Sequence, residues 1–415
     1  MMRLRFNHII TNLTLAAVLA LLPVSCCRHN KGLSGPQGPI VLGVSQAGTK
    51  AVIDNADNAV RIKQMMRDSY NASGQKTGGF GVHGFKEVNQ VTTKLFNNVR
   101  VYPDVELDID AKPEISAFEN VSKWAYTPLR YWDRNPQASY QFLAYFPWVP
   151  QEQDPNNPYA TSTTQAELDQ DYEYRELTLH NIPNWQQAST GNTPNDNVMD
   201  FMTANRRGRY DDDFSTGTVT LSFNHILSML VVKAYYIGVN KESQGGVKIM
   251  GMTLHKSDNN EQVLTHGSTD FKQKYHELKA RQVNTVTDGN SANIADLADT
   301  YQFFDYATGI SIPYDDELDD TPAAPVVLGS WLFVPYKWQN LKITVDRQIA
   351  PATGASPSGT AIVTLGSDRD AYKTQPGKTY VITLMLDTSS GGLTVASVAV
   401  QNWTDQKVIH EVYNW

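Results

Sequence analysis

The chain has 415 residues, a formal net charge of −8 at pH 7 and a sequence pI near 5.6. This acidic balance argues against nucleic acid or an anionic membrane face as a partner, because both repel a negatively charged surface. The two cysteines are adjacent, at Cys26 and Cys27, so no internal disulfide can cross-link the rest of the chain. Stability must therefore come from buried apolar area, which a chain of this length can supply in two domains of ordinary size.

Residues 1–26 have the pattern of a lipoprotein signal peptide. Two arginines precede an apolar run at 13–22 that is too short to span a bilayer. A serine then stands directly before Cys26, and a small residue before a cysteine is typical of the site where a lipoprotein is cleaved and acylated. We predict lipidation at Cys26, with Cys27 as the alternative, and an outer-membrane lipid anchor as the membrane attachment. An ordinary cleaved signal peptide without acylation is the competing interpretation.

The predicted mature chain begins with a tether and a short strand. Residues 27–38 are basic, rich in glycine and contain a proline, which is typical of a flexible tether. The apolar run at 39–44 predicts the first strand. Residues 54–72 carry apolar side chains at mixed spacings and fit either a modest helix or a long loop.

From Phe80 onward, short strand-like runs alternate with Asn, Asp, Pro and Gly. The first set lies at 80–88, 97–102, 139–147 and 174–182, and a second set follows a polar stretch at 192–213, with runs at 218–238, 246–255, 330–336, 342–346, 361–366, 379–387 and 393–403. Within the run at 218–238, residues 218–223 predict a strand and residues 225–229 predict a bend or a helical turn. The pattern predicts an all-β fold of two antiparallel β-sandwich domains, at 39–205 and 206–415.

The motifs for catalysis and cofactor binding have no supporting context. Residues 79–84 match GxGxxG as a string, but a polar stretch precedes them and a strand-like run follows, whereas a phosphate loop needs a buried strand and then a helix. The acidic run at 315–320 lacks the ligand spacing of a calcium loop, so a solvated loop is favoured. No HExxH motif and no GxSxG elbow occur. We predict no enzymatic activity, cofactor or metal, and a periplasmic enzyme is the weakest alternative.

The aromatic cluster at 124–148 is the most distinctive stretch of the mature chain. Exposed aromatic rings could stack on sugars, and the candidates for this role are Trp124, Tyr126, Tyr131 and Trp132. The alternation of Tyr140, Phe142 and Ala144 instead favours packing between sheets. A packed core is therefore the favoured interpretation, and a glycan-binding face is the alternative.

Four elements of the sequence together resemble a known family. They are Trp124-x-Tyr126-x-Pro128-x-x-Tyr131-Trp132, Tyr140-x-Phe142-x-Ala144-Tyr145-x-Pro147, Asp200-Phe-Met202-Thr-Ala204, and Val219-x-Leu221-x-Phe223-x-His225-x-Leu227-Ser228. In this order and spacing they closely resemble the fimbrillin-like subunits of the lipoprotein-derived type V pili of Gram-negative gut and oral anaerobes, over about residues 39–415. The resemblance implies two transthyretin-like β-sandwich domains, export as a lipoprotein, and assembly with other fimbrial subunits into a surface polymer that serves adhesion.

The resemblance also implies how the subunit matures. Fimbrillin subunits lose their first strand by proteolysis after a basic residue, which opens an apolar groove for a strand from the next subunit. Here the removable strand would be about 39–50 and the cleavage site Lys50. The family's site is typically an arginine, so Arg61 and Arg67 are the alternatives. An uncleaved first strand would keep the groove filled, as suits an anchor or terminal subunit.

The C-terminal run at 393–403, continued by apolar residues up to 415, fits two roles equally well. It could be the donated strand or part of the groove, or it could pair within its own domain. The sequence therefore predicts a surface fimbrial subunit with other subunits as its partners. The alternative is a monomeric surface lipoprotein that binds a glycan or a host protein through the cluster at 124–148.

Overall fold

The described part of the chain consists mainly of β-strands. A computed structural model describes residues 38–46, 62–149, 165–168, 176–255, 263–264, 268–274, 283–286, 297–298, 300–349, 358–365 and 372–402, apart from short gaps at 64, 72, 108–109, 119–122, 134, 196–197, 317–322, 336 and 339–340. By its internal contacts the chain divides into Met1–Pro36 and Gln37–Trp415, and every described residue belongs to the second unit.

The described strands, in chain order, are β1 (Val41–Gln46), β2 (Phe80–Val88), β3 (Val91–Pro103), β4 (Trp124–Tyr126), β5 (Ser139–Phe146), β6 (Gln165–Leu168), β7 (Glu176–Pro183), β8 (Trp185–Thr190), β9 (Thr193–Pro194), β10 (Met202–Arg209), β11 (Thr218–His225), β12 (Ser228–Ile237), β13 (Val247–His255), β14 (Val263–Leu264), β15 (Ser268–Lys274), β16 (Val283–Val286), β17 (Leu297–Ala298), β18 (Thr300–Ile312), β19 (Val326–Phe333), β20 (Lys337–Trp338), β21 (Leu341–Ile349), β22 (Ser358–Leu365), β23 (Tyr372–Lys373), β24 (Lys378–Asp387) and β25 (Leu393–Asn402). Short helical turns lie at Ile115–Phe118, Tyr210–Asp213 and Glu242–Gln244, and residues 62–63 and 65–67 are also helical.

These strands form four larger sheets and two short pairs. The seven-stranded sheet has the order β1-β11-β10-β5-β2-β3-β4, and the six-stranded sheet has the order β25-β24-β12-β19-β8-β9. One four-stranded sheet is β18-β13-β21-β22 and the other is β16-β15-β7-β6, while β14 pairs with β17 and β20 with β23. Two pairings are parallel, β1 with β11 and β12 with β24, although the sequence predicted antiparallel sheets throughout.

Three apolar cores hold the sheets together. The front core lies on one face of the seven-stranded sheet and includes Ile40, Leu42, Met66, Phe80, Trp132, Phe142, Phe214 and Phe223. The sandwich core lies between the six-stranded sheet and β13, β18 and β21, and includes Leu230, Val232, Tyr236, Ile249, Trp331, Ile343 and Ile382. The joint core combines the opposite faces of the two large sheets with β7, and includes Leu143, Tyr145, Leu179, Ile226, Leu227, Val231 and Leu332.

Strand β5 shows why some strands are buried at consecutive positions instead of alternating between buried and exposed ones. Tyr140 and Phe142 face the front core, whereas Leu143 and Tyr145 face the joint core. A strand that is covered on both faces has no solvent side, so its sequence loses the polar half of the period-two pattern. The same holds for β12, where Leu230 faces the sandwich core and Val231 faces the joint core.

The strand predictions are largely confirmed, and the predicted turn is shorter than expected. The run at 80–88 forms β2 with the predicted bounds, and the runs at 139–147, 246–255, 379–387 and 393–403 form β5, β13, β24 and β25. At 225–229 the structure has no helical turn, because His225 ends β11 and Ser228 begins β12. Ile226 and Leu227 between them are buried in the joint core, so a two-residue bend carries the chain from one sheet to the next.

The glycines of the GxGxxG string lie against packed neighbours. A Cβ on Gly81 would lie 2.4 Å from the ring of Tyr145, and one on Gly84 would lie 2.5 Å from the ring of Phe96. Both residues belong to β2, which continues as a strand to Val88. The glycines therefore allow aromatic rings to approach the backbone, and the structure has no helix after them that could hold a phosphate.

Asn98 ties β3 to the end of β5 at the joint core. Its backbone is left-handed, with a φ of 49°. Its amide nitrogen donates to the carbonyl of Val149 at 3.0 Å, and its side-chain oxygen accepts from the hydroxyl of Tyr145. Its backbone N–H donates to Nδ1 of His83 at 3.3 Å, and its carbonyl accepts from the indole N–H of Trp148 at 3.3 Å. These bonds hold His83 and Tyr145 in fixed positions.

Gly81→Ala is expected to lower the free energy of unfolding by about 2–3 kcal/mol, because the ring of Tyr145 is held by hydrogen bonds and cannot move away from the added methyl group. Gly43→Ala is the matched control, since its Cβ would meet the nearest atom, on Thr218, at 3.4 Å. The control should change the stability by less than about 0.5 kcal/mol. Urea denaturation followed by tryptophan fluorescence measures both, and equal effects would contradict the steric explanation.

The stability of the native state should fall as the pH drops from about 6.5 to about 4. Burial, and then the charge of Lys94, lowers the pKa of His83 to about 4 from its ordinary value of 6.5. Because the pKa of His83 is lower in the folded protein, the unfolded chain takes up the proton first as the pH falls. The contribution of neutral His83 to the free energy of unfolding is therefore complete above pH 6.5 and is lost towards pH 4. The loss should approach about 3 kcal/mol.

His83→Gln removes this titration while keeping an acceptor for Asn98, so the variant should lose less stability than the parent chain between pH 6.5 and pH 4.5. Urea denaturation at several pH values compares the two proteins. Parallel curves for parent and variant would show that His83 does not titrate as its burial requires.

Candidate functional site: the seat of the first strand

The candidate site is the place where the first strand joins the seven-stranded sheet. Residues 38–46, which comprise β1 and the three residues before it, are called here the first-strand segment. On one side, β1 pairs in parallel with β11, with Val41 opposite Thr218 and Gln46 opposite Phe223. The next described strand, β2, does not neighbour β1 in the sheet, so these two strands do not form a hairpin.

Alternate side chains of the first-strand segment enter the front core. Ile40 and Leu42 are each 1% exposed, and Val44 packs partly against the same core. Val41, between the two buried residues, is 45% exposed. The segment therefore fills an apolar groove with residues at every second position, as a strand inserted into a sheet must do.

The start of the first-strand segment is also held on its second side, by the residues that follow β4. The N–H of Ile40 donates to the carbonyl of Arg130 at 2.8 Å, and the N–H of Trp132 donates to the carbonyl of Gly38 at 3.3 Å. Pro39 forms an antiparallel bridge with Tyr131. The first strand of the sheet thus meets the chain just beyond its last strand, and the sheet curls until its two ends are in contact.

Tyr126 fixes this contact with its hydroxyl group. The hydroxyl donates to the carbonyl of Ile40 at 2.7 Å and accepts from the N–H of Arg130 at 3.3 Å. The side chain is buried, and this burial raises the pKa of Tyr126 above its ordinary value, so the hydroxyl remains a donor in neutral solution. One phenol therefore joins the first-strand segment to the turn at 127–130.

Trp132 and the carbonyl of Gly217 form the rest of the site that holds the first-strand segment. That carbonyl accepts from the N–H of Val41 at 3.0 Å and from the indole N–H of Trp132 at 3.0 Å. The indole stacks on Phe214 at a centroid distance of 5.2 Å and meets Tyr140 edge to face at 4.7 Å. The start of β11, the start of β1 and the segment after β4 therefore meet at a single oxygen atom.

The aromatic residues singled out in the sequence occupy two different environments. Trp124, Tyr126 and Trp132 are buried in the front core, where their rings contact other aromatic side chains and cannot stack on a sugar. Tyr131 is 52% exposed. The suggested stacking role is thus corrected for three of the four rings, because alternation along the chain points them into the core.

The predicted processing sites lie mostly outside the described residues. This applies to Cys26, Cys27, Lys50 and Arg61. Arg67 is described, and it lies in a helical stretch where its Nε donates to the carbonyl of Pro113 at 3.2 Å. A protease needs exposed, extended chain, so Arg67 is poorly suited to cleavage where the structure places it.

The described part of the C-terminal run pairs within its own sheet. Strand β25 forms an antiparallel ladder with β24, and Leu393 is buried in the sandwich core. Val400, near its end, is 53% exposed. Residues 403–415 lie outside the described part of the chain, so a donor role for them remains a prediction.

The described residues contain neither a metal-binding cluster nor a membrane-spanning helix. Within the described ranges, no three His, Cys, Asp or Glu side chains lie close enough together to hold a metal ion. No helix in the described part of the chain has the length and apolar character needed to cross a membrane.

The described part of the chain is an all-β fold in which the first-strand segment fills a groove in the seven-stranded sheet. The chain matches the fimbrillin-like family model over residues 80–403, which is most of its length, and it therefore belongs to that family. The resemblance predicted from the sequence is confirmed, and membership of the fimbrillin-like family implies a fimbrial subunit.

Two solved structures illustrate the similarity. One is a fimbrial protein from Bacteroides vulgatus, with a TM-score of 0.54 and 13% identity over 88% of this chain and 99% of that chain. The other is a candidate cell adhesion protein from Bacteroides uniformis, with a TM-score of 0.42 and 13% identity over 88% of this chain and 99% of that chain. At these identities the first likeness shows the fold alone. No curated protein matches the chain.

Leu42→Ala should lower the free energy of unfolding of the uncut protein by about 2–4 kcal/mol, because it leaves a cavity in the front core. Val41→Ala, one residue earlier and exposed, should change it by less than about 0.5 kcal/mol. Urea denaturation followed by tryptophan fluorescence compares the two variants. A large effect of Val41→Ala, or none of Leu42→Ala, would contradict the inward and outward orientation described above.

Proposed function

We propose that this protein is a structural subunit of a cell-surface fimbria, exported as a lipoprotein acylated at Cys26 and assembled by donor-strand exchange at the seat of its first strand. In this proposal, cleavage after Lys50 allows the first-strand segment to leave the groove. A strand from another subunit then takes its place, and the resulting polymer serves adhesion. The lipid holds the unprocessed subunit at the outer membrane.

The observation that carries the proposal is the way the first-strand segment is seated. It supplies two fully buried side chains, Ile40 and Leu42, to a core that is otherwise built by later parts of the chain. Because the segment makes its hydrogen bonds with its own backbone groups, any extended segment with apolar residues at alternate positions can replace it. A strand at the end of a sheet can be exchanged without breaking the pairing of the other strands.

We also propose two sandwich domains of the transthyretin-like type, at about 39–205 and 206–415. The separate front and sandwich cores support two domains. Sheet membership would adjust the boundary, since β11 extends the first sheet to His225 and β8 already belongs to the six-stranded sheet.

Trypsin treatment of the chain that begins at Cys26 should cut after Lys50 and give laddered polymers in electron microscopy and size exclusion. Lys50→Ala combined with Arg61→Ala should keep the protein monomeric, while Arg67→Ala should assemble like the parent chain. An excess of a synthetic peptide with the sequence of residues 38–46 should block growth by occupying the groove. A cut protein that stays monomeric after its first strand has been removed would overturn strand exchange.

A further inference from the structure

We propose that cleavage after the first strand does not itself empty the groove: the cut segment stays docked through a clamp at its N-terminal end, and an incoming strand must displace it from the Gln46 end. The clamp consists of residues 38–41 together with Tyr126, Arg130, Trp132 and Gly217. This inference rests on the proposed function, since it concerns how the exchange is controlled.

The N-terminal end of the first-strand segment is bound on both sides. On the β11 side, the N–H of Val41 donates to the carbonyl of Gly217. On the opposite side, Ile40 uses both of its backbone polar groups, donating to Arg130 and accepting from the hydroxyl of Tyr126. Gly38 accepts from Trp132 on that same side.

The C-terminal end of the segment is bound on one side within the described part of the chain. From Leu42 to Gln46, each residue pairs with a residue of β11, from Val219 to Phe223. The bridge and the hydrogen bonds to the chain after β4 stop at Ile40. A strand paired along one edge separates more readily than one held along both, because fewer bonds must break at each step.

A cut after Gln46 therefore frees the weaker end and leaves the clamp intact. Each partner in the clamp belongs to the body of the subunit, at 126–132 or at Gly217, so proteolysis in 47–61 does not alter it. The buried side chains of Ile40 and Leu42 add to the retention, since leaving the groove would expose them to water. The cut segment is then a noncovalent plug that still joins the subunit to residues 26–37 and to any lipid they carry.

Exchange then has a direction. An incoming strand can first pair with β11 beside Gln46, where the resident strand separates most readily, and advance towards Ile40. The contacts with Tyr126 and Arg130 break last. The bound fragment protects the front core from water until a partner strand has paired along most of the groove. The protein therefore never exposes an empty groove, which would promote aggregation.

The test uses the chain that begins at Cys26, with a specific protease site placed in 47–61. After the cut, native mass spectrometry and size exclusion should show the short fragment still bound to the body. The rate of its release is then measured by adding an excess of labelled peptide of residues 38–46 and recording how fast the peptide replaces the fragment. Loss of the fragment as soon as the chain is cut would overturn the proposal.

Tyr126→Phe and Tyr140→Phe are the matched pair for this assay. Both tyrosines are buried in the front core, and each hydroxyl makes hydrogen bonds, but that of Tyr140 bonds to the backbone of Asp133 and not to the first-strand segment. Tyr126→Phe should speed the release about fivefold, the worth of one ordinary hydrogen bond. Tyr140→Phe should leave the release rate within about twofold of the parent rate. Equal rates for the two variants would contradict a clamp at Ile40.

Hydrogen exchange tests the direction of displacement. In the cut protein, the amides of Ile40 and Val41 should exchange more slowly than those of Gly43 and Ser45. Uniform or reversed protection would exclude peeling from the Gln46 end.

The outcomes separate the clamp from the proposed function. A fragment that stays bound, in a protein that never polymerises even after the fragment has been exchanged, supports the clamp and rejects the fimbrial proposal. If the fragment is lost as soon as the chain is cut and the protein then polymerises, the result supports the fimbrial proposal and rejects the clamp.

Discussion

The contact between the two ends of the seven-stranded sheet is the constraint on which the first half of the structure depends. It is made at the carbonyl of Gly217, which receives the backbone N–H of Val41 and the indole N–H of Trp132. Without this contact the sheet would be open between β1 and β4, and the front core would face water along that opening. The aromatic rings around Trp132 are therefore structural, and they keep the two ends of the sheet at a fixed distance from each other.

This arrangement explains how one segment can be firmly held and still be replaceable. The first-strand segment is held by the burial of Ile40 and Leu42, at alternate positions, and by its backbone hydrogen bonds. Neither depends on a particular sequence of side chains. The contacts that do depend on specific side chains, through Tyr126 and Trp132, come from the body of the subunit. The groove therefore keeps its shape and its hydrogen-bonding groups when its occupant changes.

The sequence predicted the local features of this fold because they depend on neighbouring residues. Short strand-like runs bounded by Asn, Asp, Pro and Gly identified β2, β5 and β24, and the spacing of Tyr140, Phe142 and Ala144 favoured a buried aromatic cluster over a sugar-binding face. The parallel pairing of β1 with β11 depends on residues about 177 positions apart, from Val41 to Thr218, and no local pattern encodes such a register. The role of Gly217 could not be predicted either, since its carbonyl matters only once three distant segments have met.

The long separation between paired strands also governs how the chain can acquire its structure. The seven-stranded sheet cannot close before His225 has been made, and the six-stranded sheet needs Asn402, because β24 and β25 lie at one end of it. Until β11 has been made, β1 has no partner strand, and its apolar residues remain available to other chains. Contacts between distant segments form slowly, so about half of the polypeptide must be delivered in an unfolded state before the seven-stranded sheet is complete, and nearly all of it before the six-stranded sheet is complete. A chain of this topology consequently depends on being kept from association during its synthesis and transport, and it becomes safe from aggregation only when its last strands are in place.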